Sequence, residues 1–226
     1  MYRVEDKYNC TAMELVMLQS RMEAVLRPDV NEGDSEGYRI TSLYFDDLED
    51  SCLHDTEDGV NRRNKYRIRI YNDSLDVIKL EVKSKRDNRI LKRSRTISIT
   101  EMKSLINGEC IEDSASEEDP ATLFNLAIKT RGLRPRVIVA YERKAYVYEP
   151  GNVRITFDRN VRASGRVEEF GQKNIVYDFL QECDKVLEVK YDEFIPDFLL
   201  QLLELGNMQQ SAYSKYQLCR ERTAVL

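Results

Sequence analysis

Strict two-residue alternation over short stretches constrains this chain more than any other feature. Lys65-Tyr66-Arg67-Ile68-Arg69-Ile70-Tyr71 puts Lys65, Arg67 and Arg69 on one side of an extended backbone and Tyr66, Ile68 and Ile70 on the other. Ile78-Lys79-Leu80-Glu81-Val82-Lys83 separates Lys79, Glu81 and Lys83 from three aliphatic residues in the same way. Arg3, Glu5 and Lys7 share a face, as do Tyr141 and Arg143, then Arg154, Thr156 and Asp158, and finally Glu188 and Lys190. A helical period would scatter these sets, so the chain is built mainly of strands.

The same period and the content of β-branched and aromatic residues predict strands over 2–8, 38–46, 64–71, 76–83, 89–99, 136–148, 154–158 and 185–191. The run from 38 to 99 is spaced as an antiparallel meander. Helices interrupt it at recognisable signals. Thr11-Ala12-Met13-Glu14 is a capping box opening a helix with apolar Leu15, Val16, Leu18, Met22, Val25 and Leu26, which should end near Arg27-Pro28. Further helices are expected over 100–106, closed by Gly108, from Asp119-Pro120, over 196–205 with Gly206 just beyond, and from about Ala212. The acidic stretches 112–119 and 49–58 read as loops, the latter carrying the single histidine, His54. With no repeat, low-complexity run or Gly/Ser linker, 1–226 reads as one α+β, mainly antiparallel domain.

Composition removes several function classes. A net charge of −5 speaks against nucleic-acid binding by the surface at large. Cys10, Cys52, Cys110, Cys183 and Cys219 are odd in number, scattered and without C-x-x-C spacing, which argues against a disulfide framework or zinc site and for a reducing cytoplasm. One histidine does not support a phosphohistidine mechanism, and no window reaches the roughly 18 apolar residues of a membrane span.

Two readings of the charged strand faces stand open. Each is a solvated outer face laced with cross-strand ion pairs, or together they form an interior. Arginine and lysine dominate these faces in an acidic protein, which favours the interior. Closed into a barrel, such a sheet encloses a basic tunnel with a few carboxylates, costly unless it holds water, counterions or a polyanion. Arginine forks and lysine charges suit phosphate oxygens, and Glu5, Glu81 and Glu188 suit a hard cation that neutralises them. Glu81 alternatively pairs with Lys83 or Arg67, and Tyr44 alternatively packs.

In their order, Tyr2-Arg3-Val4-Glu5-Asp6-Lys7-Tyr8, Ser42-Leu43-Tyr44-Phe45-Asp46, Lys65-Tyr66-Arg67-Ile68-Arg69, Lys79-Leu80-Glu81-Val82-Lys83, Tyr141-Glu142-Arg143-Lys144-Ala145, Val153-Arg154-Ile155-Thr156-Phe157-Asp158, Leu187-Glu188-Val189-Lys190 and Ser214-Lys215-Tyr216 resemble the catalytic domain of vacuolar transporter chaperone (VTC) polyphosphate polymerases, within the triphosphate tunnel metalloenzyme (CYTH-like) superfamily. The resemblance implies a closed eight-stranded tunnel flanked by helices, with ATP as phosphate donor, inorganic polyphosphate as acceptor, and Mn2+ or Mg2+ as cofactor. It implies that Arg67, Arg69, Arg143 and Arg154 clamp the transferring phosphate. It further implies phosphate or nucleotide contacts from Lys7, Lys83, Tyr44, Lys190, Ser214 and Lys215, and metal ligation by Glu188 with Glu5 and Glu81. Ser214 and Lys215 also stand at the start of a predicted helix, where free N–H groups favour an anion.

The superfamily's cyclases and triphosphatases begin with Glu-x-Glu-x-Lys, whereas the first acidic position here is Arg3. That departure leans toward the polymerase branch. The eukaryotic polymerases carry membrane segments and an inositol-phosphate-sensing domain, neither of which is in this sequence, so membrane coupling is left to a partner. Two rivals remain: hydrolysis of tripolyphosphate or nucleoside triphosphate in the same tunnel, and polyphosphate binding without turnover.

Overall fold

The computed structural model describes residues 3–29, 37–87, 89–181, 185–204 and 208–223. Tyr2, Cys183, Leu205 and Gly206, used in the sequence reading, lie outside them. The elements in chain order are β1 (Val4–Cys10), α1 (Ala12–Val25), β2 (Arg27–Pro28), β3 (Tyr38–Asp46), α2 (Ser51–Glu57), β4 (Arg62–Tyr71), β5 (Ser74–Arg86), β6 (Arg89–Ile97), α3 (Ile99–Ile106), α4 (Pro120–Arg131), β7 (Arg134–Tyr148), β8 (Val153–Ser164), β9 (Phe179–Gln181), β10 (Lys185–Tyr191), α5 (Asp197–Leu203) and α6 (Lys215–Thr223). They divide into two compact units. The first comprises Met1–Arg39, Tyr141–Val161 and Gln181–Tyr213, and the second Ile40–Ala140, Arg162–Leu180 and Ser214–Leu226.

In the first unit β10 pairs antiparallel with β1 on one side and β8 on the other. Thr11 caps α1 through the expected box: its Oγ1 accepts from the Glu14 amide at 3.2 Å, and the Glu14 carboxylate accepts from the Thr11 amide at 2.7 Å. Leu15, Leu18 and Met22 form the buried stripe of α1, joined in one core by Tyr146, Ile155, Phe157, Leu187, Val189, Leu199 and Leu203. Val16 and Val25, also apolar, are exposed because they fall off that stripe. Arg27 and Pro28 do not simply end the helix, since they pair with Val147 and Tyr146 of β7. Gly37, at φ +94°, lies so close to the Arg143 carbonyl that a Cβ would collide with backbone.

The second unit holds the meander: β4 pairs antiparallel with β3 and β5, and β5 with β6. Asn72 and Asp73, both at positive φ, make the tight turn between β4 and β5, a backbone that suits a two-residue hairpin. Phe124 of α4 sets its ring edge-on to Phe45 and Tyr66 at 5.2 and 5.3 Å, covering the apolar face of these strands. Asp119 caps α4 and Gly132 closes it at φ +64°.

Helix α2 corrects the expected loop over 49–58. Its cap is not local: the Cys52 and Leu53 amides donate to Asp46 at 2.9 and 3.1 Å, and the Ser51 amide to Asp47 at 2.9 Å. Carboxylates at the end of β3 thus satisfy the amides that a sequence window assigns to no partner. His54 lies on this helix, exposed, 3.1 Å from Glu57. The hydrogen-bonded strand order is β1-β10-β8-β7-β3-β4-β5-β6, and β1 and β6 stand at its two ends. The structure is therefore α+β with a mostly antiparallel sheet whose hydrogen bonding does not close it, unlike the closed barrel expected.

Candidate functional site

The charged faces are not solvated outer faces. Arg69 is 7% exposed, Glu81 1%, Arg143 5%, Asp158 0% and Glu188 4%, while the opposite, apolar faces are buried as well. Burying charge on both sides of a strand is costly unless each group finds a partner, and the partners are specific.

In the first unit, antiparallel register sets two cross-strand rows. Lys7 lies opposite Glu188, itself opposite Thr156, and Glu5 lies opposite Lys190, itself opposite Arg154. Arg143 makes a two-pronged pair with Asp158, Nε to Oδ1 and Nη2 to Oδ2, both at 2.7 Å. Its Nη2 also lies 3.5 Å from Glu188, whose Oε2 accepts from Lys190 Nζ at 2.7 Å. Burial opposes the charge on Arg143, but Asp158 and Glu188 hold its guanidinium protonated well beyond the usual range. Arg154 pairs with Asp29 at 2.6 Å and donates to the Tyr38 hydroxyl at 3.0 Å. Lys7 Nζ donates to the Tyr213 carbonyl at 2.7 Å. Arg3 pairs with Asp192 at 3.0 Å.

The second unit gathers Tyr44, Arg67, Arg69, Glu81, Lys83, Ser214 and Lys215. Tyr44, Arg67, Glu81 and Ser94 form one row across four strands, and Lys65, Lys83 and Lys92 another. Arg67 donates to Glu81 Oε2 through Nε at 2.7 Å and approaches it through Nη2 at 2.6 Å. Arg69 Nη1 is 3.8 Å from the same carboxylate, and Lys92 Nζ is 3.2 Å from its other oxygen. Burial alone would raise the Glu81 pKa, yet Arg67, Arg69 and Lys92 together hold it well below the usual carboxylate range. Tyr44 stacks on Tyr216 at 5.1 Å and accepts from Arg67 Nη1 at 3.0 Å. Its hydroxyl is buried, which disfavours ionisation, but Arg67 and Arg69 outweigh that and lower its pKa. Ser214 caps α6, accepting from the Gln217 amide at 3.2 Å, and also accepts from Lys65 Nζ at 2.8 Å. Lys215 is the first residue of that helix.

The family model of the VTC domain matches residues 2–223. This chain belongs to the VTC domain family. Solved structures that resemble this VTC domain include the following two. An adenylate cyclase-like protein from Bacillus halodurans is 15% identical, with 95% of this chain and 96% of that one covered at a TM-score of 0.57. One from Vibrio parahaemolyticus is 12% identical, with 96% and 98% covered at 0.52. At such identities the likeness is one of fold. No curated protein matches the sequence.

Several residues of the VTC domain's charged faces escaped the sequence reading. Lys92 was invisible as a Glu81 partner because the register of β5 on β6 is not written in either strand. Asp29 lies in no periodic segment. Asp158 did carry a signal, sharing a strand face with Arg154. Among the described residues no three His, Cys, Asp or Glu side chains cluster as a metal cage. The donor set nonetheless fits a hard cation: Glu188 and Glu5 are diagonal neighbours on one face of β1 and β10, and Mg2+-type ions use one or two carboxylates plus substrate phosphates. Glu81, held on both oxygens by cations, fits that role less well.

Proposed function

We propose that this VTC domain, working as one domain over 1–226, is a polyphosphate polymerase that moves the terminal phosphate of ATP onto a growing inorganic polyphosphate chain inside a basic tunnel. The observation that carries the reading is the charged strand face of the second unit, at whose centre Arg69 and Glu81 are buried. There Lys65, Arg67, Arg69, Lys79, Lys83 and Lys92 share one face of β4, β5 and β6 with a single carboxylate, Glu81, which Arg67, Arg69 and Lys92 approach. Such an excess of cations is an electrostatic demand for a polyanion. Phosphoryl transfer asks little covalent work of a protein; it asks for alignment and neutralisation of charge on the phosphoryl oxygens.

Arg67 and Arg69 are pre-aimed by Glu81, Tyr44 and Ser42, the last accepting from Arg69 Nε at 3.1 Å, so that little reorganisation is needed to meet phosphate. Arg143 and Arg154 are oriented in the same manner by Asp158 and Asp29. Lys7, Lys83, Lys190, Ser214 and Lys215 are assigned to the phosphates of donor and product. Glu188 with Glu5 is assigned to Mn2+ or Mg2+, which when bound neutralises neighbouring phosphate oxygens. The acceptor is the end of the chain itself, so no protein nucleophile is called for. Pairing of Arg3 with Asp192 supports transfer over hydrolysis, since the carboxylate of the two-acid motif is absent there. No helix of the described residues is long and apolar enough to cross a membrane, and a cytoplasmic site with a membrane partner supplied separately is part of the proposal.

Incubation with ATP and Mn2+, with and without a short polyphosphate primer, tests it on a gel that resolves phosphate chains. A ladder of lengthening chains, lost in Glu188→Ala, supports the polymerase. Orthophosphate alone replaces it with a hydrolase, and metal-independent binding without turnover replaces it with a polyphosphate-binding module.

A further inference from the structure

The second unit has a cavity of about 370 Å³ at the end of β4, β5 and β6, lined among others by Arg62, Arg63, Lys85, Arg86, Arg93 and Arg131, with Asp55 and Glu117 as its acids; of these, Arg63 and Lys85 alternate onto the face of Arg67 and Glu81. Arg62, Asn64, Ser84, Arg86 and Arg93 project to the side of the sheet where α4 packs, opposite to Arg67 and Glu81 by the alternation of β4, β5 and β6. The pairing at this end of the sheet is unusual. Arg62 lies directly opposite Arg86, which lies opposite Arg89, and Arg63 lies opposite Lys85. Like charges facing one another across an antiparallel pair are destabilising.

Local acids offset this arrangement only in part, Asp55 acting on Arg63 and Asp87 on Lys85. Arg131 is engaged by Asp47 at 2.9 Å, and Arg93 reaches Ser84 and Glu118 only at 3.4 and 3.5 Å. Arg93 Nε is buried and has no hydrogen-bond partner. A buried guanidinium N–H left unpaired in a cavity rimmed by further cations marks a place for an acceptor. Burial lowers the pKa of Arg63 and, together with the neighbouring Arg63, that of Lys85.

We propose that this cavity is a second binding site, separate from the buried strand face, for a linear inorganic phosphate chain. Several forks set around a cavity of this size suit a ligand with phosphates in series better than a single phosphate ion. The choice of an inorganic chain rests on the polymerase reading; the presence of an anion site does not.

The test is calorimetric titration of the full chain with inorganic tripolyphosphate. Two sites are expected in the wild type. Arg62→Ala with Arg86→Ala weakens one by about tenfold or more, as loss of charged hydrogen bonds would, and leaves the other; Arg67→Ala does the reverse. The ligand-free Arg62→Ala/Arg86→Ala protein also melts no lower than wild type, because a repulsion has been removed, while its melting point rises less on adding tripolyphosphate. Arg93→Ala repeats the measurement with another cation of the α4 side. A single site insensitive to all these cavity changes overturns the proposal. So does ATP, or a single-stranded oligonucleotide, binding the cavity more tightly than tripolyphosphate. Wild-type protein that binds at two sites yet never elongates a chain overturns the polymerase reading alone.

Discussion

The two charged faces differ in how their charge is balanced. In the first unit nearly every cation named has a carboxylate of its own: Arg143 has Asp158, Arg154 has Asp29, Lys190 has Glu188 and Arg3 has Asp192. In the second, three cations converge on Glu81, and Lys65, Lys83 and Lys92 lie side by side across the sheet. A balanced face resists loss of either sign. The second face depends on a carboxylate shared by several cations, and its excess of positive charge is what a polyanionic ligand would neutralise.

The contrast can be broken by five substitutions, the first four taken from the largest effect to the smallest. Arg67→Ala should lower turnover on the order of 10²–10³-fold, the scale of removing one preorganised donor from a transition-state oxyanion, read as the rate of chain lengthening; unchanged turnover would end the proposed clamp. Next, Asp158→Ala should destabilise by about 3–5 kcal/mol, since Arg143 is left buried and short of its main partner, as measured by urea unfolding.

Glu81→Gln sharpens the comparison through pH. The folded pKa of Glu81 is depressed, so its contribution to stability is full above the ordinary glutamate value of ~4.3 and is lost as pH falls toward the depressed folded value. Wild type should lose stability faster than the variant across that acid window. Parallel curves would show that ionised Glu81 is not the source. The smallest effect is Lys83→Gln, expected to weaken tripolyphosphate binding and flatten its salt dependence, as measured by titration at two ionic strengths. In the first unit Lys190→Gln should instead cost stability, because Glu188 loses a partner at 2.7 Å.

Much of this was legible in the residues, and particular elements show why. The bounds of β3 and β10 follow from alternation alone, and Thr11 and Asp119 announce α1 and α4 because their caps are local in sequence. Helix α2 was missed because its amides are satisfied by Asp46, the last residue of the preceding strand, and by Asp47 just beyond it. Strand β8 runs on to Ser164, past the point where alternation of apolar and charged residues stops at Asp158. Tyr44 was left between packing and binding, and the structure has it stacked on Tyr216 while its hydroxyl accepts from Arg67.

The sequence by itself determined which residues share a strand face, because a period of two needs only the local backbone, and it determined the family through the order of its motifs. Tertiary structure decided which charges meet. Register brought Lys92 to Glu81 and set Arg62 against Arg86, and burial on both sides of the strands turned an alternating pattern into a site. Those outcomes depend on how separate strands align, and alignment is a property of pairs of segments that neither segment encodes alone.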